Sequence, residues 1–263
     1  MAHKTLINGT VYDISGGSTL VNGTAYKISS GRTLVGGTGY TISFGLSPVF
    51  ANNSWAAIIA ACQANEVPDT WSVGDSKPMN INGIDYPIDI IGKNHDSYTD
   101  RSGTAPLTFQ MHDLYSTRYE MNDSSTNEGG YSGSDMHTKH LPSILNGMPA
   151  EVRAAIKQVD KKASYGNEST RIETIACKLF LLAEIEFFGV IEGSVRGEGS
   201  QYAYYKAGNS VIKYQHASSS PGNHWTRSPT DSGSKSFIIV RTTGGVENYY
   251  ANLNGFIDFA FCF

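Results

Sequence analysis

The closing forty residues, His224 to Phe263, constrain the fold more than any other stretch. They run Trp225-Thr226-Arg227-Ser228-Pro229, then an apolar β-branched run Phe237-Ile238-Ile239-Val240, a Gly244-Gly245 pair, a polar-aromatic stretch Val246 to Gly255, and an apolar close from Phe256 to Phe263. β-Branched and aromatic runs separated by glycines that supply φ > 0 predict strand, turn and strand with a buried face. Phe261-Cys262-Phe263 has no polar tail after it, so the last strand is expected inside a sheet.

Upstream the pattern changes. Residues 5 to 45 carry a repeat in which Thr5, Thr19 and Thr33, Gly9, Gly23 and Gly37, and Tyr12, Tyr26 and Tyr40 recur every fourteen residues. Each copy has the size of a hairpin with an Asn-Gly or Gly-Gly turn, too small to bury a face alone, so stacking on other copies is expected. Residues 1–45 therefore read as an attachment or oligomerisation stem. Residues 46–69 read as a linker with a short helix, Trp55 to Asn65, capped by Asn53 or Ser54 and carrying Trp55, Ile58, Ile59 and Cys62 at helical spacing.

The main domain is expected over 70–263. Strands are predicted at Lys77 to Ile81 and Ile84 to Gly92 around an Asn82-Gly83 turn, the second with Asp85 and Asp89 on its exposed face until Ile91 breaks the alternation. Leu107 to Met111 is a further strand. Helices are expected from Ser134 or Asp135 to Asn146 and from Met148-Pro149 to Lys161, and a core strand over 172–188. Tyr202 to Lys213 is open between strand and exposed loop.

Composition narrows the function classes. A net charge of -4 with 17% charged residues recruits neither nucleic acid nor an anionic membrane. Met1-Ala2-His3-Lys4 leads straight into the repeat, and the apolar run Ile175 to Ile191 is interrupted by Lys178, Glu184 and Glu186, so neither a leader nor a membrane span is expected. Cys62, Cys177 and Cys262 sit among apolar neighbours and read as small buried hydrophobes.

The Trp225 to Pro229 pentapeptide, the hairpin after it, the variable Asn/Ser/Tyr stretch and the aromatic close resemble the C-terminal cassette of C-type-lectin-like modules in phage and gut-bacterial surface proteins. These include proteins diversified by retroelements. Lys178 to Glu186 looks like the strand that precedes that cassette, and the resemblance covers about 70 to 263. Gly255 to Phe261 departs from it, having neither the Arg nor the Pro of the family's ending. The Gly-Thr-x-Tyr-x-Ile repeats are separately similar to the front of phage tail and virion proteins. Together these imply an α+β fold: a C-type-lectin-like domain behind a small all-β repeat stem.

Asn248, Tyr249, Tyr250, Asn252 and Asn254 are the candidate ligand-binding cluster, since Tyr supplies rigid contact area and Asn adaptable hydrogen bonding. Trp225 and Arg227 join them as candidates, with structural support as the competing reading. His137 and His140 invite a metal and Asp96, Asp100 and Asp113 a calcium ion, but neither set has the spacing of a coordination site; no metal or cofactor is expected. Buried strand thiols argue against the reactive cysteine pair of formylglycine-generating enzymes, which share the broad fold. The expectation is a non-catalytic virion protein (tail, fibre or head decoration) recognising a glycan or protein on the host surface. Other virion proteins would dock through the stem, and the chain is expected to form a homo-oligomer. A purely structural virion protein and a glycan- or protein-modifying enzyme are the alternatives.

Overall fold

The β-branched segments of the repeat pair with one another in turn. β1 (His3–Ile7) pairs with β2 (Thr10–Ile14), β3 (Ser18–Val21) with β4 (Thr24–Lys27), and β5 (Ser30–Val35) with β6 (Thr38–Ser43), each antiparallel. The structure, a computed structural model, describes these six strands and every residue from Gly45 to Phe263. The expected turns Asn8-Gly9, Asn22-Gly23 and Gly36-Gly37 lie outside the described residues, as do the side chains of the stem. The chain divides into two units, Met1–Pro48 and Val49–Phe263.

The second unit begins earlier than expected. Phe50, Trp55 and Ile58 are buried, and α1 (Trp55–Gln63), with Ser54 Oγ accepting the Ala57 N–H at 3.1 Å, is part of the core and not of a linker. The Trp55 ring meets Phe109 at 5.7 Å and Phe263 at 6.1 Å.

β7 (Ser76–Ile81) and β8 (Ile84–Lys93) form the predicted hairpin, with Asn82 and Gly83 both at positive φ as a type I′ turn requires. β8 pairs in turn with β9 (Leu107–Met111). Ile91, where the alternation breaks, is the extra residue at a register shift between Ile90 and Gly92. Asp89 does not face water: it is buried and hydrogen-bonded to His112 at 2.7 Å.

Helices α2 (Gly130–Gly133) and α3 (Leu141–Asn146) flank a π-turn at Met136–His140. The helix expected to reach Lys161 stops early: α4 spans Ala150–Ala155, and Val159–Ser164 is strand β10, paired with β11 (Ile172–Cys177). The expected single core strand over 172–188 is likewise three elements. After β11 come β12 (Leu179–Phe180) and helix α5 (Glu184–Phe188), because the Glu186 carboxylate turns back to accept the Ala183 N–H at 2.9 Å and caps a helix. Tyr202 precedes a single helical turn, α6 (Ala203–Lys206), instead of a strand.

β13 (His224–Pro229), β14 (Ser236–Val240) and β15 (Val246–Tyr250) form an antiparallel three-stranded sheet in which β15 is an edge. Tyr249 and Tyr250, expected on a loop between flanking strands Ile238 to Val240 and Phe256 to Phe261, lie in strand β15 itself, because Val246 to Tyr250 completes a hairpin with β14. β16 (Ala260–Cys262) inserts between β12 and β9 in a five-stranded sheet ordered β12-β16-β9-β8-β7, so the end of the chain is core. The unit is α+β, with mixed helices and antiparallel sheets. Among the described residues no helix is long and apolar enough to cross a membrane.

Candidate functional site

Arg227 decides how rigidly the β13–β15 sheet is held. It lies at the centre of β13 with no exposed surface, and an uncompensated guanidinium there would cost several kcal/mol. All its donors are engaged: Nε on Lys162 O at 3.0 Å, Nη1 on Leu181 O at 2.9 Å and Glu186 Oε2 at 2.5 Å, Nη2 on Glu186 Oε1 at 2.8 Å and Glu198 O at 2.6 Å. Lys161, also buried, gives its three protons to Asp96 at 2.6 Å, Tyr202 at 2.9 Å and Glu186 at 2.7 Å. Burial opposes ionisation of Asp96 and Glu186, but Lys161 beside the first, and Arg227 with Lys161 beside the second, outweigh it and hold both carboxyls below their ordinary range. The network is satisfied internally, so Arg227 has no donor left for a ligand.

Trp225 is equally inaccessible. Its Nε1–H donates to Tyr119 O at 2.8 Å and its ring meets Tyr249 at 5.2 Å. Trp225 and Arg227 are therefore scaffold, not ligand contacts. Tyr249 is half-buried over Trp225; Asn248 and Tyr250 face outward, and Tyr250 is 56% exposed. The strand period of two separates neighbouring tyrosines in role. Asn252 and Asn254 are exposed in the turn after β15.

Asn248 and Tyr250 line a groove of about 300 Å³ with Glu168, Thr230, Ser232, Ser234 and Lys235. Two loops make its walls, and one buried side chain ties them together. Asn127 Nδ2 donates to Gly233 O at 2.9 Å and Ser236 O at 2.8 Å, while its Oδ1 accepts the Asn167 N–H at 2.8 Å. On the far wall Gly166, Asn167 and Glu168 are three consecutive residues at φ 70°, 50° and 60°. Gly166 cannot be replaced there: a Cβ would sit 1.8 Å from Asn127 O. For Asn167 and Glu168 the left-handed region costs about 1 kcal/mol each, and strain of this kind persists where the surroundings enforce it and clusters at functional sites. Its effect is to place Glu168 on the groove.

The groove thus unites two of the expected residues with seven that the sequence does not mark. Thr230 to Ser236 reads as a polar turn, and nothing local marks Asn127 or Glu168; the strained run at 166–168 is visible only in the backbone angles.

The remaining candidates are not gathered. Asp96 belongs to the Lys161 network, exposed Asp100 bonds Ser102 N–H at 2.9 Å, and Asp113 faces His216 at 3.0 Å. His137 packs on Tyr131 and His140 on Tyr119. Among the described residues no group of three or more His, Cys, Asp or Glu side chains is placed to hold a metal. The three cysteines are buried and free; burial pushes the Cys62 and Cys177 thiols up to about 12, far from thiolate chemistry at neutral pH.

The sequence profile of a family described as a domain of unknown function (DUF6273) matches residues 107–261, from β9 through β16 and more than half of the chain. No curated protein and no solved structure matches the chain.

Proposed function

The chain belongs to the DUF6273 family, and since that membership carries no activity we propose its function from the groove: host-surface recognition by a virion protein whose second unit is lectin-like and binds saccharide. The hairpin repeat, similar to those of phage tail and virion proteins, serves in this reading as the particle-side attachment. The observation that carries it is the lining of the groove. Thr230, Ser232 and Ser234 supply hydroxyls, Asn248 an amide, and Tyr250 an exposed ring with a polar tip.

Such a set suits a ligand that offers hydroxyls around an apolar ring face. Hydroxyls and amides donate and accept alike, and the tyrosine adds contact area at low entropic cost. A protein ligand would anchor through apolar or aromatic side chains buried in pockets, and the groove offers only polar walls and one ring. The walls are held by Asn127 and by the Arg227 network, so little ordering is left to oppose binding.

The test is attachment of the labelled full chain to a panel of bacteria, before and after periodate oxidation of surface sugars, alongside Tyr250→Ala. Expected is strong attachment to some strains, abolished by periodate and weakened about thirtyfold by the substitution, the scale of an aromatic hot spot. Attachment unchanged by both treatments would sink the proposal.

A further inference from the structure

Beyond the groove, the charges buried in the cluster around Arg227 do not balance. Asp96, Glu186 and Glu198 are three carboxyls; Lys161 and Arg227 are two cations; all five side chains are at most 3% exposed. The cations give every side-chain proton elsewhere: to Asp96 and Glu186, to Tyr202 and to backbone carbonyls. The Glu198 carboxyl receives only neutral donors, the Ser164 N–H at 2.8 Å on Oε1 and the Ser228 hydroxyl on Oε2. Ionised in place, it would be a buried charge with no cation bonded to it, an arrangement proteins avoid by protonation or by movement. Burial pushes this carboxyl up to about 7, so its proton is lost near neutral pH.

The chain around Glu198 is built to move. Gly197 and Gly199 flank it at φ 107° and 139°, and both are exposed. Gly199 runs so close to the network that a Cβ would lie 2.8 Å from Glu186 Oε1. The segment is held at its middle by Arg227 Nη2, which donates to Glu198 O at 2.6 Å and must exchange that bond for water when the segment lifts. It is held at its ends by the Ser194 bridge to Thr230 and by the Tyr202 N–H on Glu186 O at 3.1 Å. Between them, Gly197, Glu198, Gly199 and Ser200 form one wall of a cleft of about 490 Å³. The other walls present His95, Asp160 and Lys162, above a floor containing Asp96, Lys161 and Glu186.

We infer that Gly197–Ser200 is a proton-operated strap: with Glu198 protonated its carboxyl is stowed against Ser164 and Ser228 and the wall is closed, and with Glu198 ionised the strap lifts and the cleft opens. The charged groups that act on Glu198 are Arg227 from β13 and Glu186 from α5. Lys161 and Lys162, with His95, Asp96 and Asp160, line the same cleft, Tyr202 bonds Lys161, and Arg196 adjoins on the strap itself. The ion-paired members keep their charges through the neutral range, because Asp96 and Glu186 are held low and Lys161 high by one another.

The test is hydrogen exchange of the full chain between about pH 5.5 and 8.5, corrected for intrinsic rates, on wild type, Glu198→Gln and His95→Gln. With one proton released per opening, strap amides should lose protection about tenfold per pH unit as pH rises to the midpoint and level off above it, with β14 amides unchanged. E198Q should stay protected throughout, and H95Q should behave as wild type. Equal wild-type protection at both pH values overturns the inference, and this arm decides even if E198Q does not fold. An E198Q strap that opens as wild type does, or loss of the pH dependence in H95Q, overturns it as well.

Discussion

At Glu198 the balance of terms fixes the sign of a pH dependence. Its folded pKa, about 7, lies above the ordinary 4.5, so between those values the native state binds the extra proton. Stability from this group is complete below about pH 4.5 and falls as pH rises through 7, by roughly 3 kcal/mol for a shift of this size. Asp96 and Glu186 are held low and act oppositely, losing their contribution only in stronger acid. His112, held up by its hydrogen bond to Asp89, pulls in the same direction as Glu198. Chemical denaturation of wild type and E198Q across this range separates them: E198Q should remove most of the decline, and a decline of undiminished size would assign it to His112. Trp225→Ala and Arg227→Met should each cost about 3–5 kcal/mol, the first by leaving a cavity and the second by removing one of the two cations paired with buried Glu186. Thermal melts check both, and a melt within two or three degrees of wild type (below about 1 kcal/mol) would contradict their placement as scaffold.

At the scale of the element, β15 shows how one short strand divides labour. Tyr249 lies on Trp225 and Tyr250 on the groove, so Tyr249→Ala should lower stability by about 2 kcal/mol while Tyr250→Ala leaves the melt within about 0.5 kcal/mol of wild type. The reverse order in calorimetry would mean the strand's register had been read backwards. β7, β8, β9, β14 and α1 were legible in the sequence, each with its own period or turn residues, whereas Val246 to Tyr250 reads there as a loop between flanking strands and is a strand paired with β14. Other elements were not. Leu181 to Phe188 is apolar enough for either a strand or a helix, and what decides it is Glu186, which caps α5 and anchors Arg227 from the far side of the fold. Lys161 and Lys162 look like a helix end, yet a buried carboxylate pair recruits Lys161 into β10. Asp89 looked solvent-facing because α6, which packs against β8 and brings Tyr204 near it, comes more than a hundred residues later. In each case a contact distant in sequence overrode a local preference.

At the scale of the molecule the chain has two units, and the second carries its own sheets and core. Residues 49–263 expressed alone should therefore fold cooperatively with a melting temperature close to that of the full chain; a fragment without a cooperative transition would show that the stem is required. The central claim, that the groove beside β15 takes saccharide, is tested most directly by recording amide chemical shifts of the labelled chain as a glycan that it retains from an array is titrated in. The account expects perturbed amides to cluster at 166–168, 230–236 and 246–250, and the same titration of Tyr250→Ala to leave them nearly still. Shifts confined to another face, or a Tyr250→Ala variant that responds as wild type does, would contradict it.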